Sequence, residues 1–134
     1  MRIEMYQKNL KEIIMKTLAI VDDNLMMREF LRQLLSKHYE VKTFDNGAQV
    51  MSYLTSNENP DALLLDYDME DMNGKEILEI IKSSGFYNEI PVIFLSGIKQ
   101  SETRIACLES GAKDFILKPF NPIELELRIQ NAIN

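Results

Sequence analysis

The chain has one cysteine and one histidine in 134 residues, no long apolar run and no excess of basic charge. With Cys107 alone, no disulfide can close within the chain. Cys107 falls inside a helical pattern and reads as a small packed side chain rather than a nucleophile. His38 stands at an expected helix end, where capping or solvation accounts for it better than catalysis. The apolar runs are far shorter than a membrane span. The N-terminus carries Arg2, Glu4, Lys8, Lys11 and Glu12 and has no signal-peptide core. A cytoplasmic protein without a membrane partner is expected. A formal net charge of -6 argues against direct nucleic-acid binding, which needs a basic surface. From residue 17 to 134 there is no repeat, low-complexity tract or linker, and the length suits one domain with one sizeable core.

What is present is a set of polar residues placed just past short apolar runs. Leu18-Ala19-Ile20-Val21 leads into Asp22-Asp23. Ala62-Leu63-Leu64-Leu65 leads into Asp66, Val92-Ile93-Phe94-Leu95 into Ser96, and Phe115-Ile116-Leu117 into Lys118-Pro119. Such runs read as strands buried on both faces, as in a parallel sheet, where ligands bind outside the carboxyl ends of the strands. One sheet edge should therefore collect three carboxylates, a hydroxyl and an ammonium. That set suits a hard cation together with a phosphoryl group.

Between the runs lie helical patterns. Residues 25–37 place Leu25, Met26, Phe30, Leu31, Leu34 and Leu35 at helical spacing. Residues 39–44 alternate as a strand, and Asp45-Asn46-Gly47 marks a turn. Helices are expected over 48–54, with Val50, Met51 and Leu54 inward, and over 75–82, with Ile77, Leu78 and Ile81 on one face. A further helix over 101–109 is stopped by Gly111, and the last covers 122–132 with Asn121 as N-cap and Pro122 first. Strand and helix alternate five times. This predicts an α/β doubly wound, flavodoxin-like domain over 16–134, with a five-stranded parallel sheet in order 2-1-3-4-5 and helices on both faces. The switch point would bring Asp22-Asp23 and Asp66 face to face. Residues 1–15 form an N-terminal extension with two readings: an extra helix through Tyr6, Leu10, Ile13 and Ile14, or an upstream stretch of little function before a start at Met15.

Ile20-Val21-Asp22-Asp23-Asn24, Leu64-Leu65-Asp66, Met69 with Met72-Asn73-Gly74, the run from Val92 to Gly97, and the run from Gly111 to Phe120 occur in order and at compatible distances. Together they resemble the receiver domain of bacterial two-component response regulators, the chemotaxis-regulator-like fold. The resemblance implies that Asp66 is the phosphoacceptor. It implies that Asp22, Asp23, Asp66 and the backbone carbonyl of Asp68 hold magnesium, with manganese as a substitute. Ser96 and Lys118 would each contact a phosphoryl oxygen, and a cis Lys118-Pro119 bond would aim the ammonium. Ser96 and Phe115 would form the switch, Ser96 moving toward the phosphate and Phe115 turning inward into the space it leaves. Arg104, Asp114, Glu124 and Arg128 lie where some receivers form salt bridges across a symmetric dimer. The implied partners are a histidine kinase or phosphotransfer protein upstream and a protein target downstream. The chain is expected to be either a stand-alone regulator or a receiver from a longer protein.

The chemistry is consistent with these roles. An aspartate carboxylate can attack phosphorus and carry the phosphoryl group, and such transfer depends mostly on positioning and charge stabilisation. Magnesium takes oxygen ligands. Without a cation, each carboxylate pair at ~5 Å repels by roughly 3 kcal/mol at an effective dielectric of ~20, which should raise carboxyl pKa values. Such a protein is not an enzyme beyond catalysing its own phosphorylation and dephosphorylation. Four positions depart from the family pattern, among them Ile98, apolar two past Ser96, which would partly shield the site. Glu70 stands where proline is usual, and Gly97 replaces a common alanine, which would let backbone approach the phosphate. Asp68 would lie near the path of attacking water, where it would repel phosphate, tighten metal binding or orient water. A rival reading takes Asp66-Tyr67-Asp68 as similar to the opening motif of haloacid-dehalogenase-type phosphatases. That family places the motif on its first strand, and Asp22-Asp23 would go unexplained. A third reading is an interaction module that keeps the fold without phosphorylation.

Overall fold

The computed structural model describes residues 3–4, 15–56 and 59–134. The expected helix through Tyr6, Leu10, Ile13 and Ile14 lies outside the described residues. The strands are β1 (Thr17–Val21), β2 (Glu40–Phe44), β3 (Ala62–Asp66), β4 (Val92–Ser96) and β5 (Asp114–Leu117). They alternate with α1 (Leu25–Leu35), α2 (Gly47–Thr55), α3 (Gly74–Ser83), α4 (Ser101–Glu109) and α5 (Pro122–Ile133). All strand pairs are parallel, and the order is 2-1-3-4-5.

Side chains alternate across a strand, and here the alternation separates two cores. Ala19, Val21, Leu63, Leu65, Val92 and Phe94 point to one face, where Val50 and Leu54 of α2, Ile77, Leu78 and Ile81 of α3 and Cys107 of α4 cover them. Leu18, Ile20, Ala62, Leu64, Ile93 and Leu95 point to the other, against Leu31 and Leu35 of α1 and Leu125, Ile129 and Ala132 of α5. β3 and β4 are buried along their whole length, whereas edge strand β2 keeps alternate residues exposed. That difference is why the first two read as continuous apolar runs and the last as an alternating one.

Helix α1 departs from the apolar pattern. Leu31 and Leu35 enter the core, but Leu25, Met26 and Phe30 are 62%, 83% and 46% exposed. The inner face follows the 27, 31, 34, 35 row, and the other three residues are left on the solvent side near the carboxyl edge of the sheet. Gly111 ends α4 with φ of 109°, a conformation that glycine adopts without strain. Its N–H donates to the Leu108 carbonyl, and the next N–H, of Ala112, to that of Cys107.

Candidate functional site

The register brings the strand ends level. Val21 pairs with Leu65 and Asp66 with Leu95, so the residues just past β1 and the last residue of β3 meet at one edge. Carboxylate oxygens of Asp22, Asp23 and Asp66 lie within 4.8 Å of one another. Asp22 and Asp66 are buried at 1% and 4% exposure, while Asp23 is exposed. From β5, Lys118 reaches in with Nζ 3.3 Å from Asp66 Oδ1 and 3.8 Å from Asp22 Oδ2. The Lys118-Pro119 bond is cis.

Asp22 is held from two sides. The Asn24 N–H donates to its Oδ1 at 2.9 Å, and Arg28 Nη1 donates to its backbone carbonyl at 2.8 Å. Its Oδ2 is buried without a hydrogen-bond partner. Burial pushes the Asp22 carboxyl from 3.8 up to about 6; the Asn24 N–H works against this, Asp66 adds to it, Lys118 opposes it and Asp23 adds again. Mutual repulsion among the carboxylates thus contributes, as expected from the sequence, but burial is the larger cause. A buried carboxylate oxygen lacking a hydrogen bond, beside two further carboxylates, is a donor set that fits a hard divalent cation. A groove of about 490 Å³ opens onto it, lined by Asp22, Asp23, Asn24, Asp66, Asp68 and Lys118 and by Met26, Met27 and Phe30 of α1.

Ser96 ends β4 fully buried. Its Oγ accepts from the Ile98 N–H at 3.0 Å and donates to Asp68 Oδ2 at 3.1 Å. The Gly97 N–H donates to the same oxygen at 3.2 Å. The backbone of Asp68 is tied to the phosphoacceptor candidate by its N–H, which donates to Asp66 Oδ1 at 3.1 Å. So the Asp68 side chain, whose direction the sequence left open, turns to Ser96. A Cβ at Gly97 would meet nothing within 4 Å; clearance from the rest of the protein is therefore not the reason for glycine there.

Phe115 is 4% exposed and already inward. Its ring lies 6.0 Å from both Tyr67 and Phe94, and Tyr67 meets Phe94 edge-on at 5.5 Å. Phe115 thus already has the inward position expected after phosphorylation, and the Ser96 hydroxyl is held by Asp68. The physical cause is local: the Asp68 carboxylate draws Ser96, and two aromatic rings hold the third. Of the candidate dimer residues, Arg128 pairs with Asp114 at 3.2 Å and with Glu124 at 3.3 Å within the same chain. Arg104 lines a second groove, of about 390 Å³, together with Asp114, Glu124 and Arg128.

Some participants were not singled out from the sequence. Asp71 Oδ2 accepts from the Gly47 N–H at 3.0 Å and ties the loop after β3 to the start of α2. Tyr67 follows the phosphoacceptor candidate and packs on Phe115. Only the aromatic residue directly after Asp66 hinted at this. Arg28 gave no signal at all, because a carbonyl acceptor is invisible in a side-chain pattern.

The family described as "Response regulator receiver domain" matches residues 18–130. Two-component response regulator ORR3 of Oryza sativa is 38% identical over 115 residues, covering 84% of this chain and 86% of that protein. A chemotaxis protein CheY homolog of Campylobacter jejuni is 28% identical over 118 residues, covering 87% and 91%. Among solved structures, a putative response regulator from Chloroflexus aurantiacus superposes with a TM-score of 0.82 at 30% identity, covering 89% of this chain and 98% of that one.

Proposed function

The chain belongs to the response regulator receiver domain family, and from that premise we propose that it accepts a phosphoryl group on Asp66 from a histidine kinase or a phosphotransfer protein. The observation that carries this is a buried Asp66 beside both the Asp22-Asp23 pair and the Lys118 ammonium. In the proposed step an Asp66 oxygen bonds to phosphorus. The bond from phosphorus to the donor's imidazole nitrogen breaks, and that nitrogen keeps the electron pair. Reversal is hydrolytic: a water oxygen bonds to phosphorus, the Asp66 oxygen leaves with its pair, and carboxylate and inorganic phosphate result.

The residues suited to hold magnesium, or manganese in its place, are Asp22, Asp23 and Asp66, with the Asp68 carbonyl as a further ligand. Such a cation supplies positive charge against the phosphoryl oxygens. Lys118, paired with Asp66 from the outset, carries fixed charge to oxygens that become more negative during transfer. Ser96 links the phosphoryl group to the face made of α4, β5 and α5, because its hydroxyl points at the site while Phe115 backs the same face. That face is the proposed output surface, for a protein target or for a second copy through Arg104, Asp114, Glu124 and Arg128. The phosphatase reading gains no support. The Asp22-Asp23 pair, which lies beside Asp66, has no part in it.

The test is chemical mapping. After incubation with phosphoramidate and magnesium, borohydride reduction converts an aspartyl phosphate to homoserine, and peptide mass spectrometry locates it. Homoserine at position 66 alone is the expected result. Homoserine elsewhere, or catalytic turnover of a generic phosphate ester, would overturn the proposal.

A further inference from the structure

Two donors beside the phosphoacceptor candidate already hold an anion, and it belongs to the chain itself. Ser96 Oγ and the Gly97 N–H converge on one oxygen, Asp68 Oδ2, at 3.1 and 3.2 Å. Because Ser96 Oγ accepts from the Ile98 N–H, its own proton is left free to point at Asp68. The Asp68 carboxylate makes no ion pair among the described residues, so these two donors are its main compensation. A carboxylate oxygen and a phosphoryl oxygen are equivalent acceptors for such a pair. Asp68 is exposed and sits on a loop, so its side chain can leave without disturbing the core.

We infer that the Asp68 carboxylate is an internal occupant of a phosphoryl-oxygen seat formed by Ser96 and the Gly97 N–H, and that it is displaced when Asp66 is phosphorylated. This deepens the reading of Asp66 as phosphoacceptor and rests on it. While in place, the carboxylate keeps the Ser96 hydroxyl and the Gly97 N–H together on one acceptor. The seat is thereby built before the phosphoryl group arrives. An arriving group brings a charge of about -1.5 to -2 close to Asp68, and repulsion then favours departure of the carboxylate. The same occupancy weakens binding of any incoming anion. A competitor that fills the seat about nine-tenths of the time lowers the apparent affinity of its rival about tenfold.

The experiment uses the full chain, with Asp68→Ala and Asp68→Asn, and beryllofluoride with magnesium as the phosphoryl probe. In nitrogen-15 NMR spectra without the probe, Asp68→Ala should shift the Gly97 amide upfield and speed its exchange with solvent, while Asp68→Asn, which keeps an acceptor oxygen, should do so less. With the probe, Asp68→Ala should bind beryllofluoride on the order of tenfold more tightly than wild type, and the gain should shrink when Ser96→Ala is also present. A gain that is the same with and without Ser96 would reduce Asp68 to a distant charge and overturn the inference. So would a Gly97 amide indifferent to Asp68→Ala. If neither wild type nor Asp68→Ala bound the probe, phosphoacceptor chemistry and seat competition would fall together. Equal binding by the two would remove the competition alone.

Discussion

Asp22 is a carboxylate with 1% of its surface exposed and one oxygen lacking a hydrogen bond. Its folded-state pKa of about 6 lies above the ordinary 3.8 because burial disfavours the charge. Between those values the folded chain binds more protons than the unfolded one, so stability falls as pH rises through this window. Below the lower value the penalty vanishes. Above the upper it reaches about 3 kcal/mol. Asp22→Asn removes the titrating group. In urea titrations with EDTA, it should exceed wild type in stability by up to about 3 kcal/mol near pH ~7.5, and the gap should close toward pH ~4. A gap that does not change with pH would contradict this account. The residues at strand ends (Asp22, Asp23, Asp66, Ser96 and Lys118) were legible in the sequence because a parallel sheet collects such residues at one edge. The Asp68 side chain was not. Its direction depends on the turn after β3 and on where β4 stops, and neither leaves a periodic trace.

At the scale of elements, the helix starts are built alike. Asn24, Asn46, Asn73 and Asn121 each accept from a backbone N–H in the first turn of α1, α2, α3 and α5. Only Asn121 stood out as a cap in the sequence, because proline follows it. The others were legible in principle, since Asn46 precedes Gln49 and Asn73 precedes Glu76 at the spacing of a capping box. Helix α4 has no side-chain cap and buries only Cys107; it is the least anchored of the five, and it borders the proposed output face. Helix α3 is the opposite case. A Cβ at Gly74 would lie 2.6 Å from Phe94 Cε1 and 3.0 Å from the Tyr67 backbone. Gly74→Ala should therefore destabilise the domain by about 1–3 kcal/mol in urea unfolding and disturb the Phe94, Tyr67 and Phe115 ring signals in NMR. An unchanged midpoint with unchanged ring signals would show that this close approach is not required. The exposure of Leu25, Met26 and Phe30 of α1 was not legible, because apolar spacing alone does not reveal which side of a broad stripe faces the sheet.

The whole molecule follows from strand alternation: two cores on the two sides of a sheet in order 2-1-3-4-5, with the chemistry at one edge. That architecture was legible because β1, β3, β4 and β5 are short apolar runs ending in distinctive polar residues. Among the described residues no helix is long and apolar enough to cross a membrane. The association proposed for the α4, β5 and α5 face is a property at this scale too. Arg128 already bridges Asp114 and Glu124 within one chain, so a symmetric dimer would exchange these pairs rather than create them, and exposed pairs add little stability. Sedimentation velocity should show a monomer alone and a dimer with beryllofluoride and magnesium; a monomer in both conditions would leave that face to other partners. The central claim is tested most directly by intact mass after incubation with acetyl phosphate, with magnesium or with EDTA, beside Asp66→Ala. The account predicts a single phosphoryl adduct that needs magnesium and is lost in the variant. An adduct that persists in Asp66→Ala, or a folded wild-type protein that takes none, would contradict it.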